Sequence, residues 1–143
     1  MKSKIEGETC AHTVLLIDDE PFIQDIVGMM LESLGCEVLL AADGSEGVQL
    51  VAKHRNTICL IFCDLSMPGM DGWQTISAIR KIAPELPVIL ASGYAIEEHV
   101  QREYPDQPWM IMQKPFVYDE LERILRHVSG GAVLTSGADI TKQ

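Results

Sequence analysis

Val14-Leu15-Leu16-Ile17-Asp18-Asp19-Glu20-Pro21 is the stretch whose reading decides the fold. Four apolar residues in succession, with no polar alternation, suit a strand buried on both faces, as in a parallel sheet covered by helices. The run stops at two carboxylates. Glu20-Pro21 then opens a helix, because proline is tolerated in a first turn and acids favour that end.

Four more apolar runs follow the first: Val38-Leu39-Leu40, Ile58 to Phe62, Val88-Ile89-Leu90 and Trp109 to Met112. Segments of helical period separate them. Ile23, Ile26, Val27, Met30, Leu31 and Leu34 form one apolar stripe, with Gly35 placed to end that helix. Trp73, Ile76, Ile79 and Ile82 mark another, stopped before Pro84 and Pro87. The last carries Leu121, Ile124, Leu125 and Val128 and runs into Gly130-Gly131. The segments after Gly44 and after Tyr94 have less regular spacing but occupy the remaining helical slots. The chain therefore reads as βα repeated five times, an α/β doubly wound five-stranded parallel sheet with five helices on both faces. After Gly130 the tail GAVLTSGADITKQ is small and polar and is expected to be a mobile terminus, with no output domain encoded.

Composition narrows the function classes. The chain has 143 residues, about one domain, and 47% apolar residues are enough for a core. A net charge of −10 disfavours a nucleic-acid backbone or an anionic lipid surface as partner. No apolar run reaches the roughly 20 residues of a membrane helix, and MKSKIEGETC lacks the apolar core of a signal peptide, so a cytoplasmic location is expected. Cys10, Cys36, Cys59 and Cys63 form no C-x-x-C pair and read as reduced, mostly buried thiols. Cys59 and Cys63, four apart in one strand, are expected on the same side. His12, His54, His99 and His127 show no ligand spacing and read as surface residues.

The polar residues fall at the strand ends. Asp18 and Asp19 end the first strand, Asp64 the third, Ser92 the fourth and Lys114 the fifth. Ligands of open α/β sheets bind beyond the carboxyl ends of the strands, where strand order reverses. Three carboxylates brought together repel, and a hard divalent cation with oxygen ligands relieves that repulsion; Mg²⁺ suits a small acidic cluster with room for water and phosphate. A lysine ammonium and a serine hydroxyl beside it would bind anion oxygens. The anion that suits all three is a phosphoryl group, and a carboxylate aimed at it can be its covalent acceptor. Taken singly, Asp18 and Asp19 are helix-start acids, Asp64 a turn residue before Pro68-Gly69, Lys114 a solvated lysine and Ser92 turn chemistry. Asp71-Gly72 reads structurally, as the turn into the third helix.

Ile17-Asp18-Asp19-Glu20-Pro21, Asp64-Leu65-Ser66-Met67-Pro68-Gly69-Met70-Asp71-Gly72, Ala91-Ser92-Gly93 and Lys114-Pro115-Phe116 resemble, in order and spacing, the four signature segments of bacterial two-component response-regulator receiver domains, the CheY-like superfamily. The resemblance covers residues 12–129, leaving an N-terminal extension, 1–11, and a flexible tail, 130–143. It implies a flavodoxin-like strand order of 2-1-3-4-5 and a cis Pro115. It implies Asp64 as phosphoacceptor and Asp19, Asp64 and the Ser66 carbonyl as Mg²⁺ ligands, with Asp18 acting through water. Ser92 would be the switch hydroxyl and Lys114 the counter-charge. The implied partners are a sensor histidine kinase or histidine phosphotransfer protein, then a downstream protein reached through the fourth helix, fifth strand and fifth helix; a homodimer is also allowed. The stretches Pro87 to Tyr94 and Asp64 to Gly72 look like receivers of hybrid sensor kinases, with a stand-alone regulator as the other context.

Two positions depart from the commonest pattern. Ile111 stands where many receivers carry an aromatic, leaving that coupling absent or carried by Tyr94 or Trp109. Tyr94, two after Ser92, is expected with Ser66 to flank the path of attacking water. Two other classes compete. A Mg²⁺-dependent aspartyl phosphohydrolase of the haloacid-dehalogenase kind would place its nucleophile at the end of the first strand with an acid two residues on, whereas Glu20 stands there in another context. A non-phosphorylated pseudo-receiver would usually lack one of the acids or the lysine, and all are present.

Overall fold

A computed structural model describes residues 12–97, 100, 101 and 103–129. The expected extension 1–11 with Cys10, the tail 130–143 with Gly130-Gly131, and His99 lie outside the described residues. The elements run β1 (Thr13–Ile17), α1 (Pro21–Ser33), β2 (Glu37–Ala41), α2 (Gly44–His54), β3 (Ile58–Asp64), α3 (Gly72–Ile82), β4 (Val88–Ser92), β5 (Met110–Gln113) and α4 (Tyr118–Ser129). All strand pairs are parallel and the order is β2-β1-β3-β4-β5. The order therefore reverses between β1 and β3, the two strands that end in acids.

Five helices were expected, and four have their full bounds among the described residues. In the slot after Tyr94, Val100 and Gln101 are helical, and their N–H groups both donate to Glu97 O at 3.1 Å.

The two faces of the sheet carry separate cores. Val14, Leu16, Leu60, Phe62 and Ile89 pack with Val27 and Leu31 of α1 and Leu121, Ile124 and Leu125 of α4. Leu15, Ile17, Ile61, Cys63, Val88 and Leu90 pack with Val51 of α2 and Trp73, Ile76 and Ile79 of α3. β1, β3 and β4 are buried on both sides, as their unbroken apolar runs require. β2 is an edge strand, and its Leu40 is 41% exposed.

Two expectations are corrected. Cys59 and Cys63 lie on opposite faces, because the β1–β3 register shifts between Thr13 and Val14; Cys59 packs with Leu60 on the α1/α4 side and Cys63 on the other. One extra residue in a strand inverts the alternation beyond it. Ile26, assigned to the buried stripe of α1, is 38% exposed on the side shared by Phe22 and Met29. The described histidines, His12, His54 and His127, are all partly exposed.

Local chemistry sets the helix ends that frame the site. Gly35 has φ 94°, Cys36 N–H donates to Leu31 O and Gly35 N–H to Glu32 O, a Schellman close to α1. Asp71 caps α3 in a capping box, its carboxylate accepting from Gln74 N–H and its own N–H donating to the Gln74 side chain, both at 2.9 Å. That bears out the reading of Asp71-Gly72 as a helix-opening turn.

Candidate functional site

The rim at the carboxyl ends of the strands gathers the predicted residues. Asp18 follows β1 directly, Asp64 and Ser92 are the last residues of β3 and β4, and Lys114 follows β5. Oxygens of Asp18, Asp19 and Asp64 all lie within 4.8 Å of one another. Lys114 Nζ bridges two of them, 3.1 Å from Asp18 Oδ2 and 3.0 Å from Asp64 Oδ1. Asp18 is fully buried; its Oδ1 accepts from Glu20 N–H at 2.9 Å, so both of its carboxylate oxygens already have donors. Asp19 reaches solvent and takes no side-chain hydrogen bond from the described residues. The acidic side of the cluster therefore opens through Asp19 and the second oxygen of Asp64.

Burial raises the Asp64 pKa above the ordinary carboxylate value, with the charges of Asp18 and Asp19 adding and Lys114 opposing. For Lys114, burial works against the ammonium, but hydrogen bonds to Asp64 and Asp18 and their charges outweigh it and the pKa rises. A carboxyl whose folded pKa is raised favours the fold below its unfolded pKa, and that contribution is lost as pH rises through the folded value. Once ionised, Asp64 therefore costs the fold stability. An all-oxygen donor set open to water on one side fits a hard divalent ion such as Mg²⁺.

Ser92 is buried, and its hydroxyl is engaged within its own loop: Oγ donates to Tyr94 O at 2.6 Å and accepts from Tyr94 N–H at 3.1 Å. It makes no hydrogen bond to Asp64. Ser66 is exposed on the loop after β3. With Tyr94 it lines a groove of about 840 Å³ between the segments that follow β3 and β4, walled also by Pro68, Trp73 and Tyr104. Lys114-Pro115 is a cis peptide, as the resemblance implied. Trp109 stands at the other end of β5 from Lys114, beside His127, so it is not an aromatic of the rim. Three rings line the groove, Trp73, Tyr94 and Tyr104, and Tyr104 is stacked on Trp73 with centroids 4.3 Å apart.

Gly72 lets α3 approach the acceptor strand. A Cβ there would meet Leu65 Cα at 2.8 Å and Asp64 O at 2.9 Å, while its N–H donates to Leu65 O at 2.8 Å. Sequence reasoning passed over two features near the rim. Phe22, Ile26 and Met29 recur at i, i+4 and i+7, a spacing that would have revealed an outward apolar stripe. Gln24, whose amide reaches the ends of β1 and β2, gives no signal as a single helix glutamine.

Fold and rim together define an α/β signalling domain of the CheY-like kind. The response regulator receiver domain model matches residues 14–126, and the chain belongs to that family, the phosphorylation modules of two-component systems. It is 32% identical over 113 residues to transcription factor SKN7 of Chaetomium thermophilum, covering 79% of this chain and 15% of that one. It is 30% identical over 112 residues to sensor histidine kinase RcsC of Salmonella typhi, covering 78% and 12%. The chain thus spans less than a fifth of these relatives' lengths. Among solved structures, the receiver domain of sensor histidine kinase PA1611 of Pseudomonas aeruginosa, which holds a magnesium ion in its active-site cleft, aligns with TM-score 0.74 and 30% identity, covering 85% of this chain and 99% of that one. Among the described residues no helix is long and apolar enough to cross a membrane.

Proposed function

We propose that residues 12–129 form a receiver that accepts a phosphoryl group from a partner phosphohistidine onto Asp64. One Asp64 oxygen attacks phosphorus, the P–N bond breaks, and the imidazole nitrogen leaves with the electron pair, giving an aspartyl phosphate. Water later returns that group as inorganic phosphate. The observation that carries this reading is Lys114 held between Asp18 and Asp64 within a three-carboxylate cluster at the strand-order reversal.

Asp19, Asp64 and the Ser66 carbonyl are the groups assigned to hold Mg²⁺, with Asp18 acting through water. Bound there, the ion would neutralise the charge of the cluster and of the phosphoryl oxygens. Lys114 would pair with one phosphoryl oxygen. Ser92 would donate to another, which requires its single hydroxyl proton to leave Tyr94 O. That exchange releases one tie on the loop after β4 and is the local event that switches the surface of the following turn, β5 and α4 toward a downstream protein.

The partner that presents the phosphohistidine would dock on the outward stripe of α1, where Phe22 is 70% and Met29 64% exposed. Tyr118 at the start of α4 touches the end of that stripe through Ser33 Oγ. This face adjoins the acidic rim, and an apolar stripe of helical spacing suits a helical partner, a sensor kinase or histidine phosphotransfer protein.

Transfer from a ³²P-labelled histidine phosphotransfer protein tests the reading. The account expects one phosphate per chain, dependent on Mg²⁺ and released by hydroxylamine, which cleaves acyl phosphates. Label that resists hydroxylamine, or steady turnover of an added phosphoester, would overturn it.

A further inference from the structure

We infer that Gln24 is a positioning residue for the acidic cluster, acting through the backbone of Asp18 on the carboxylate of Asp19. The inference rests on the reading of that cluster as a Mg²⁺ site. Gln24 lies in the first turns of α1, half-buried, and its side-chain amide nitrogen donates twice: to Asp18 O at 2.9 Å and to Ala41 O at 3.3 Å. Ala41 is the last residue of β2, and its carbonyl also accepts from Asp18 N–H at 3.0 Å. One neutral side chain thus ties the ends of two parallel strands to the helix that follows the first of them.

The Asp18 carbonyl belongs to the planar peptide unit that joins Asp18 to Asp19. Fixing its oxygen fixes the Asp19 nitrogen and Cα as well, and with them the direction in which the Asp19 side chain leaves the chain. Asp18 has further anchors of its own, at Glu20 N–H and Lys114. Asp19 has none on its side chain among the described residues, so its placement depends on the backbone that Gln24 holds. Groups that orient a ligand from behind commonly change metal affinity by 10–100-fold when removed.

Gln24→Met keeps the length and the neutral charge and removes both donors. Val27→Ala, on the same helix and in the core, serves as a control that destabilises α1 without touching the tie. At a temperature where all three proteins are folded, Mg²⁺ binding is followed by calorimetry, and the Asp19 resonances are followed by NMR in metal-free buffer. Gln24→Met is expected to bind Mg²⁺ about tenfold more weakly and to move the Asp19 amide resonance, while Val27→Ala matches wild type in both. Equal Mg²⁺ affinity in Gln24→Met and wild type, or equal weakening in Val27→Ala, would overturn the inference. If wild type takes up no Mg²⁺, the reading of the site falls separately. The Asp19 resonance then decides the role of Gln24 by itself, and an unmoved resonance overturns it.

Discussion

α1 and α4 cover the same face of the sheet, meet where the Tyr118 hydroxyl lies 3.3 Å from Ser33 Oγ, and bury similar apolar stripes, yet their outward sides differ. α4 turns charge to water. Asp119 and Glu120 stand in its first turn, Arg126 and His127 in its last, and Arg126 pairs with Glu122 at 2.9 Å. That order complements the helix dipole. α1 has no acid in its first turn and no base in its last, and it exposes Phe22, Ile26 and Met29 along one line. Its register is held by tertiary packing, by the Schellman close at Gly35 and by Gln24, rather than by charges of its own. The two helices lie side by side on one core, and the uncovered apolar line of α1 fits the docking of the phosphohistidine partner proposed above.

The inward sides should behave alike. Leu31→Ala in α1 and Leu121→Ala in α4 each remove a fully buried side chain from the same cluster, and each should cost about 2–5 kcal/mol in urea unfolding. A much smaller loss for one helix would mean that the two are not equal parts of the core. The outward sides should separate. Phe22→Ala combined with Met29→Ala should slow phosphotransfer from a protein donor by about tenfold, the effect of losing roughly 1.4 kcal/mol of anchoring contacts. Labelling by acetyl phosphate should stay unchanged, since that donor needs no docking face. If both donors slow together, the stripe serves the chemistry rather than the encounter. The smallest effect is expected on α4, where Glu122→Ala breaks an exposed pair and should change stability by no more than about 0.5 kcal/mol. It should leave both transfer rates untouched, and a slowed protein donor would extend the docking face onto α4.

How far the sequence could be read follows from the kind of signal each feature leaves. Asp18, Asp64, Ser92 and Lys114 stand at the ends of four strands, and the structure brings the acids and the lysine to one rim because parallel strands point the same way. Strand ends and helix stops were legible, down to the glycine that closes α1 and the aspartate that caps α3. The side on which Cys59 packs was not legible, since a register shift leaves no mark in composition. Ile26 was misplaced because α1 is apolar on two sides, so periodicity alone gives no choice between them. The engagement of the Ser92 hydroxyl with Tyr94, and the reach of Gln24 to two carbonyls, depend on rotamers that no spacing encodes.

Acceptance of phosphate by Asp64 is the claim on which the rest depends. It is tested most directly by intact-mass spectrometry after incubation with acetyl phosphate and Mg²⁺, on wild type and Asp64→Asn together. The account predicts a single phosphoryl adduct on wild type, absent from the variant and absent when Mg²⁺ is removed. An adduct of equal yield on Asp64→Asn, or none on folded wild type, would contradict it.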